Sequence, residues 1–174
     1  MVGSKIVQYK DFLYPFGEEH SFQTFCDKGK NKRIIKQLHG TIDQHIDELT
    51  ELNKKGAGVY FTVNQTNLEG RTTKHITKVR AVFCDFDGTP MPDQFDVPPH
   101  FIINTSPKKY HVYWLVDDMP KETFTLYQQA LASKFGSDRA VKDLPRIMRV
   151  AGFWHNKKKP YPVKIVKQNI TIPY

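Results

Sequence analysis

Strand-like and helix-like segments interleave along this chain without a regular βαβ repeat, which argues against a doubly wound parallel sheet. The pattern predicts an α+β domain with a mostly antiparallel sheet and flanking helices. Short apolar alternations at residues 21–25 and 34–38 flank a turn at residues 28–31 and read as a hairpin. Thr41 can cap a helix in which Ile42, Ile46 and Leu49 recur at helical spacing, with Gly56 ending it. Residues 58–63 (GVYFTV), 80–86 (RAVFCDF), 101–104 (FIIN) and 111–116 (HVYWLV) have strand composition. The last two are joined by the turn Ser106-Pro107-Lys108-Lys109. A second helix opens after Asp118 and Pro120 and stops at Gly136, with Phe124, Leu131 and Phe135 on one side. A last strand falls near residues 163–166. At 174 residues this is one domain's worth of chain, and residues 1–174 are expected to form a single one.

Several classes fall away on composition. No apolar run approaches the length of a spanning helix, and residues 1–10 alternate polar and apolar without the features of a secretory signal. A cytoplasmic protein without membrane partners is the expectation. Two cysteines, Cys26 and Cys84, are too few for a cysteine-rich zinc site and read as free thiols. Twenty-six Lys and Arg against eighteen Asp and Glu give a net charge of +8, which favours a polyanionic partner. The charge is unevenly spread. Residues 145–174 hold Arg146, Arg149, Lys157, Lys158, Lys159, Lys164 and Lys167 and no acid. A second cluster comprises Lys28, Lys30, Lys32, Arg33 and Lys36. Together they read as a phosphate-binding surface rather than two merely solvated faces.

The chemistry is carried by Asp85 and Asp87, at the end of a hydrophobic strand. The period of two puts both carboxylates on one face, roughly 6.6 Å apart along the chain, a spacing that can chelate a pair of hard divalent cations. Without a cation the two like charges repel and cost stability. The same letters, residues 82–89 (VFCDFDGT), also look like the first motif of haloacid-dehalogenase phosphatases, where the first Asp is a nucleophile. Residues 103–106 (INTS) and Lys157 could pose as that family's later motifs, but no acid lies beyond Asp143 to complete its metal site.

A wider resemblance outweighs that one. Residues 56–64 (GAGVYFTVN), 80–88 (RAVFCDFDG), 105–114 (TSPKKYHVYW) and 137–157 come in the order of one family, and over about residues 20–165 the chain resembles the archaeo-eukaryotic primase superfamily in its RepB-like branch of plasmid and phage replication primases. The resemblance implies an α+β catalytic core with an RRM-like sheet. It implies primer synthesis on a single-stranded DNA template from NTPs or dNTPs, with two Mg²⁺ or Mn²⁺ ions. The acidic pair matches the first motif. His111 matches the second, with Ser106 at the start of its turn, although Lys109 stands where the superfamily often has Ser or Gly. Asp138 fits the third acid. Asp143 competes with it but can instead cap a turn at Leu144. Residues 146–157 (RIMRVAGFWHNK) resemble the family's basic segment. By this reading Asp85, Asp87 and Asp138 hold metal and catalyse. Ser106, Lys108, Lys109, His111, Arg149, His155, Asn156 and Lys157 bind the nucleotide, with His111 helping to neutralise its triphosphate. Lys28, Lys30, Lys32, Arg33, Arg146, Lys158 and Lys159 bind nucleic acid. A helicase or helical accessory domain, on this or another chain, is the implied partner, and the chain would then be the catalytic fragment of a replication protein.

Overall fold

The computed structural model describes residues 5–169 and 172–174. In chain order it has α1 (Lys5–Leu13), β1 (Glu19–Cys26), β2 (Gln37–Thr41), α2 (Ile42–Lys54), β3 (Ala57–Thr62), β4 (Gln65–Thr66), β5 (Ile76–Lys78), β6 (Ala81–Phe86), β7 (Phe101–Ser106), β8 (Lys109–Leu115), α3 (Lys121–Phe135), β9 (Ile147–Arg149), β10 (Trp154–His155), β11 (Tyr161–Pro162) and β12 (Lys164–Gln168). No helix among the described residues is long and apolar enough to cross a membrane.

Every strand pairing among the described residues is antiparallel; β4-β5 and β10-β11 form two short ribbons, and the other eight strands divide between two four-stranded sheets where a single one was expected. One has the order β2-β1-β3-β9 and the other β12-β7-β8-β6. The first hairpin forms around its Lys-rich turn. Its second strand starts later than the alternation suggested, because residues 32–34 coil into a 3₁₀ turn that Asn31 caps. Helix α2 starts on a full capping box, Thr41 Oγ1 accepting from the Gln44 amide while Gln44 Oε1 accepts from the Thr41 amide.

The sequence reading missed α1. Polar and apolar residues alternate up to Lys10, which imitates a strand. The helical period shows only when Tyr9 is read with Phe12 and Leu13, all three buried. That helix joins the two sheets. The Phe12 ring lies 5.3 Å from Phe61 of β3, 5.5 Å from Phe101 of β7 and 5.6 Å from Tyr113 of β8, all edge-on. One continuous apolar core therefore spans both sheets.

The second sheet ends at β6, whose outer side is covered by α3. Phe124 packs 5.9 Å from Phe83, and Trp114 stacks 5.9 Å from Phe135. Helix α3 stops at Gly136, which takes the left-handed conformation at φ +69° and turns the chain back toward β6.

Candidate active site

Asp85 lies near the end of β6 with His111 of β8 directly opposite, and Asp87 follows one step beyond the strand. The turn after Gly136 brings a third carboxylate to this end. The Asp138 amide donates to the Asp85 carbonyl at 2.9 Å, as a neighbouring strand would, and the Asp138 side chain accepts from the Ala140 amide at 2.8 Å. Asp143 is held elsewhere, in an ion pair with Arg146, which also donates to the Ala140 carbonyl.

Gln128 fixes this arrangement. Fully buried on α3, it accepts from the Phe83 amide at 2.9 Å and donates to the Phe83 carbonyl at 3.0 Å and to the Val141 carbonyl at 3.1 Å. A single side-chain amide thus satisfies the open edge of the strand bearing Asp85 and ties it to the turn bearing Asp138. Gln128→Met keeps the volume but strands those backbone groups, at a cost of about 1–3 kcal/mol. Hydrogen exchange at the Asp138 amide is expected to quicken by about tenfold or more. Unchanged protection there would show that the turn holds its place without Gln128.

Burial pushes the Asp85 carboxyl up to about 6. The charges of Asp87 and Asp138 add to the push, and Arg146 and Lys109 oppose it. Lys109 reaches Asp87 directly at 2.6 Å. Among the described residues no group of three His, Cys, Asp or Glu side chains stands close enough together to hold a metal ion. Lys109 occupies Asp87, and the Ala140 amide occupies Asp138. The donor chemistry, three carboxylates at one strand end, is nonetheless of the kind a hard divalent cation takes.

His111 stands 3.7 Å from Asp85, longer than a hydrogen bond. Burial pushes its imidazole down to about 3, with Arg149 adding to the push and Asp87 opposing it. The ring is therefore neutral at pH 7. A neutral ring offers a triphosphate a hydrogen bond rather than a charge.

Beyond the β7–β8 turn lies a cleft of about 510 Å³ lined by Ser106, Lys109, His155, Lys157, Lys158 and Lys159, with Tyr161 at its side. Lys108 forms the tip of that turn, exposed and left-handed at φ +60°. Two of the lining groups are orphaned. Ser106 Oγ and His155 Nε2 are buried without a hydrogen-bond partner among the described residues, as are four side-chain atoms outside the cleft, Thr62 Oγ1, Arg80 Nε, Ser137 Oγ and Arg146 Nε. His155 donates through Nδ1 to the Thr105 carbonyl at 2.9 Å, and burial lowers its pKa. Its Nε2 is then a bare acceptor in the wall of a lysine-rich cleft.

Two residues expected to meet nucleotide are committed to the fold. Both terminal nitrogens of Arg149 donate to the buried Asp27 carboxylate, at 2.8 and 3.1 Å. Asn156 turns its side-chain amide onto the Asn53 and Ala57 carbonyls, while its backbone amide donates to Asp27 at 2.8 Å. Lys28, Lys30, Lys32 and Arg33 are exposed on the loop between β1 and β2. Gln128 and Asp27 had not been singled out. Gln128 carried a signal, a polar residue between Phe124 and Ala132 on the buried stripe of α3. Asp27, an acid in a Lys-rich turn, carried none.

Residues 89–169 match the family described as the RepB DNA-primase N-terminal domain, a stretch that begins just after the acidic pair and takes in His111, Asp138 and the cleft. No curated protein matches the sequence. Among solved structures, the AEP domain of the cyanophage S-2L primase-polymerase shares the fold with a TM-score of 0.74 at 19% identity, over 94% of this chain and 90% of that one. Primase RepB' gives 0.72 at 20% identity over 94% of this chain, which spans 56% of the RepB' length. The catalytic domain of RepB' in complex with initiator DNA gives 0.69 at 20% identity, over 94% and 85%.

Proposed function

We propose that this chain is an archaeo-eukaryotic primase domain of the RepB-like branch and makes primers by joining nucleotides on a single-stranded DNA template. The observation that carries the reading is the hydrogen bond from the Asp138 amide to the Asp85 carbonyl, which draws the Asp138 turn to the end of β6 beside a lysine-rich cleft. The capture of the RepB' catalytic domain with initiator DNA favours DNA as the partner.

In this reaction a primer 3′-hydroxyl attacks the α-phosphorus of an incoming NTP or dNTP, the new O–P bond forms, and pyrophosphate leaves. Asp85, Asp87 and Asp138 would hold two Mg²⁺ or Mn²⁺ ions, which supply positive charge to the attacking and leaving oxygens. Lys109, released from Asp87, would turn its ammonium to the triphosphate together with Lys157, while Lys158 and Lys159 meet nucleic acid at the rim. Ser106 Oγ can donate to a phosphate oxygen. Neutral His155 is suited to accept from a sugar hydroxyl rather than to hold phosphate. His111 offers a neutral hydrogen bond beside Asp85. Burial keeps His111 unprotonated, and the charge of Arg149 adds to that effect. A helical or helicase partner would complete the replication protein, in keeping with the greater length of RepB'.

The phosphatase reading of the DFDGT letters fits poorly with β6 as the outer strand of an antiparallel sheet. Incubation with single-stranded DNA, labelled NTPs or dNTPs and Mn²⁺ or Mg²⁺ should give oligomeric product, and Asp87→Ala should give none. Absence of product from wild type, or as much from Asp87→Ala, would sink the reading. Release of phosphate from a small phosphomonoester without template would restore the phosphatase.

A further inference from the structure

The outer face of the first sheet carries an aromatic pair that the catalytic reading does not use. Along β1, Phe22 and Thr24 point inward, so Phe25 points out. Along β3, Val59 and Phe61 point inward, so Tyr60 points out. The two outer rings meet edge-to-face across the strands at 5.9 Å, and both are partly buried, each keeping some surface open to solvent.

Each ring is flanked by a guanidinium that its own bonds hold in place. The Arg149 guanidinium, directly opposite Tyr60 on β9 and so on the same face, lies 4.7 Å from the Tyr60 ring and is almost wholly buried on Asp27. Arg71 lies 5.8 Å from the Phe25 ring and is fixed by a 2.7 Å bond to Gln23, itself tied to the Thr24 and Lys36 carbonyls. A cross-strand aromatic pair is worth about 0.2–1 kcal/mol to a sheet and needs no cations around it. Here the strand runs from Phe25 straight into the loop of exposed Lys28, Lys30, Lys32 and Arg33, none of which has an acidic partner among the described residues.

Resting on the polymerase reading above, we infer that Phe25 and Tyr60 form a stacking platform for unpaired bases of a single-stranded nucleic acid, with the loop cations following its backbone. Aromatic faces accept any base, and the flexible strand is held by charge. The two contributions differ in their response to salt, because releasing counterions depends on phosphate contacts and stacking does not.

Binding of a fluorescent oligodeoxynucleotide, measured by anisotropy over a series of salt concentrations, separates them. Phe25→Leu and Tyr60→Leu are each expected to weaken binding by roughly fivefold or more with the salt slope unchanged. Phe25→Trp should bind at least as tightly as wild type, and Lys30→Gln should lower the slope by about one. An oligonucleotide of abasic sites should bind wild type no better than the normal strand binds the Phe25→Leu/Tyr60→Leu double variant. Circular dichroism confirms that the variants fold. Leucine variants within about twofold of wild type, or abasic and normal strands binding alike, overturn the platform even where primers are still made. A loss confined to free NTP binding overturns it as well. A wild-type protein that binds no single strand overturns the platform and the polymerase reading together.

Discussion

Asp85→Asn is expected to abolish primer synthesis and, at the same time, to make the metal-free protein more stable at pH 7. Burial and the charges of Asp87 and Asp138 raise the Asp85 carboxyl from 3.8 to about 6. A raised carboxyl pKa is a penalty on the ionised native state: it is fully present above pH 6, shrinks as pH falls through the window, and is gone below about 4, where the unfolded chain also holds its proton. Asparagine carries no such charge. The variant should therefore gain about 2 kcal/mol at pH 7, or roughly 4–8 °C in Tm, and the gain should vanish near pH 4. Activity should fall by about a hundredfold or more, because a lost ligand removes several kcal/mol of charge stabilisation from the transition state. In wild type, Mn²⁺ should raise Tm strongly above pH 6 and weakly below it, since the cation competes with the proton for Asp85. Thermal melts across pH 4–8, with and without Mn²⁺, check both halves. Equal melts for the two proteins at pH 7 would show that the carboxylate stands unopposed by its neighbours.

What the sequence disclosed of this fold was whatever neighbours along the chain decide. The β7–β8 hairpin, the capped start of α2 and the Gly136 stop of α3 each depend on a few adjacent residues and stand where those residues predict. Strand alternation reaches Asp85 within β6, whereas Asp87 lies one residue past the strand end. Partners distant in sequence were not legible. Arg149 and Asn156 look like phosphate ligands in an acid-free basic tail, and only the fold reveals Asp27, 122 residues before Arg149, waiting beneath them. The charge state of His111 was hidden too, because neutrality comes from the burial that β8 acquires between β6 and β7. The division into two sheets escaped because it depends on α1, whose Phe12 reaches β3, β7 and β8 together. Asp138 and Asp143, five residues apart and both flanked by basic groups, offered no local means of choosing between them.

Asp138→Asn and Asp143→Asn settle that choice in opposite ways. Asparagine at 138 keeps the amide that donates to the Asp85 carbonyl and an oxygen for the Ala140 amide, so the turn should hold while the negative charge is lost. Primer synthesis should drop by about a hundredfold or more, and calorimetry should show Mn²⁺ binding weakened by at least about tenfold. At 143 the carboxylate serves Arg146, which keeps its second contact on the Ala140 carbonyl, so asparagine there should cost only a few-fold in activity and leave Mn²⁺ affinity unchanged. The reverse result would mean that residues 138–146 rearrange when a cation arrives, with Arg146 giving up Asp143 so that it can ligate. Such a movement would have to break the Asp138 amide bond to β6 and the Val141 contact with Gln128, so it would also appear as lost protection at the Asp138 amide on adding Mn²⁺. Protection that rises with Mn²⁺ instead would place the third carboxylate where Gln128 holds it.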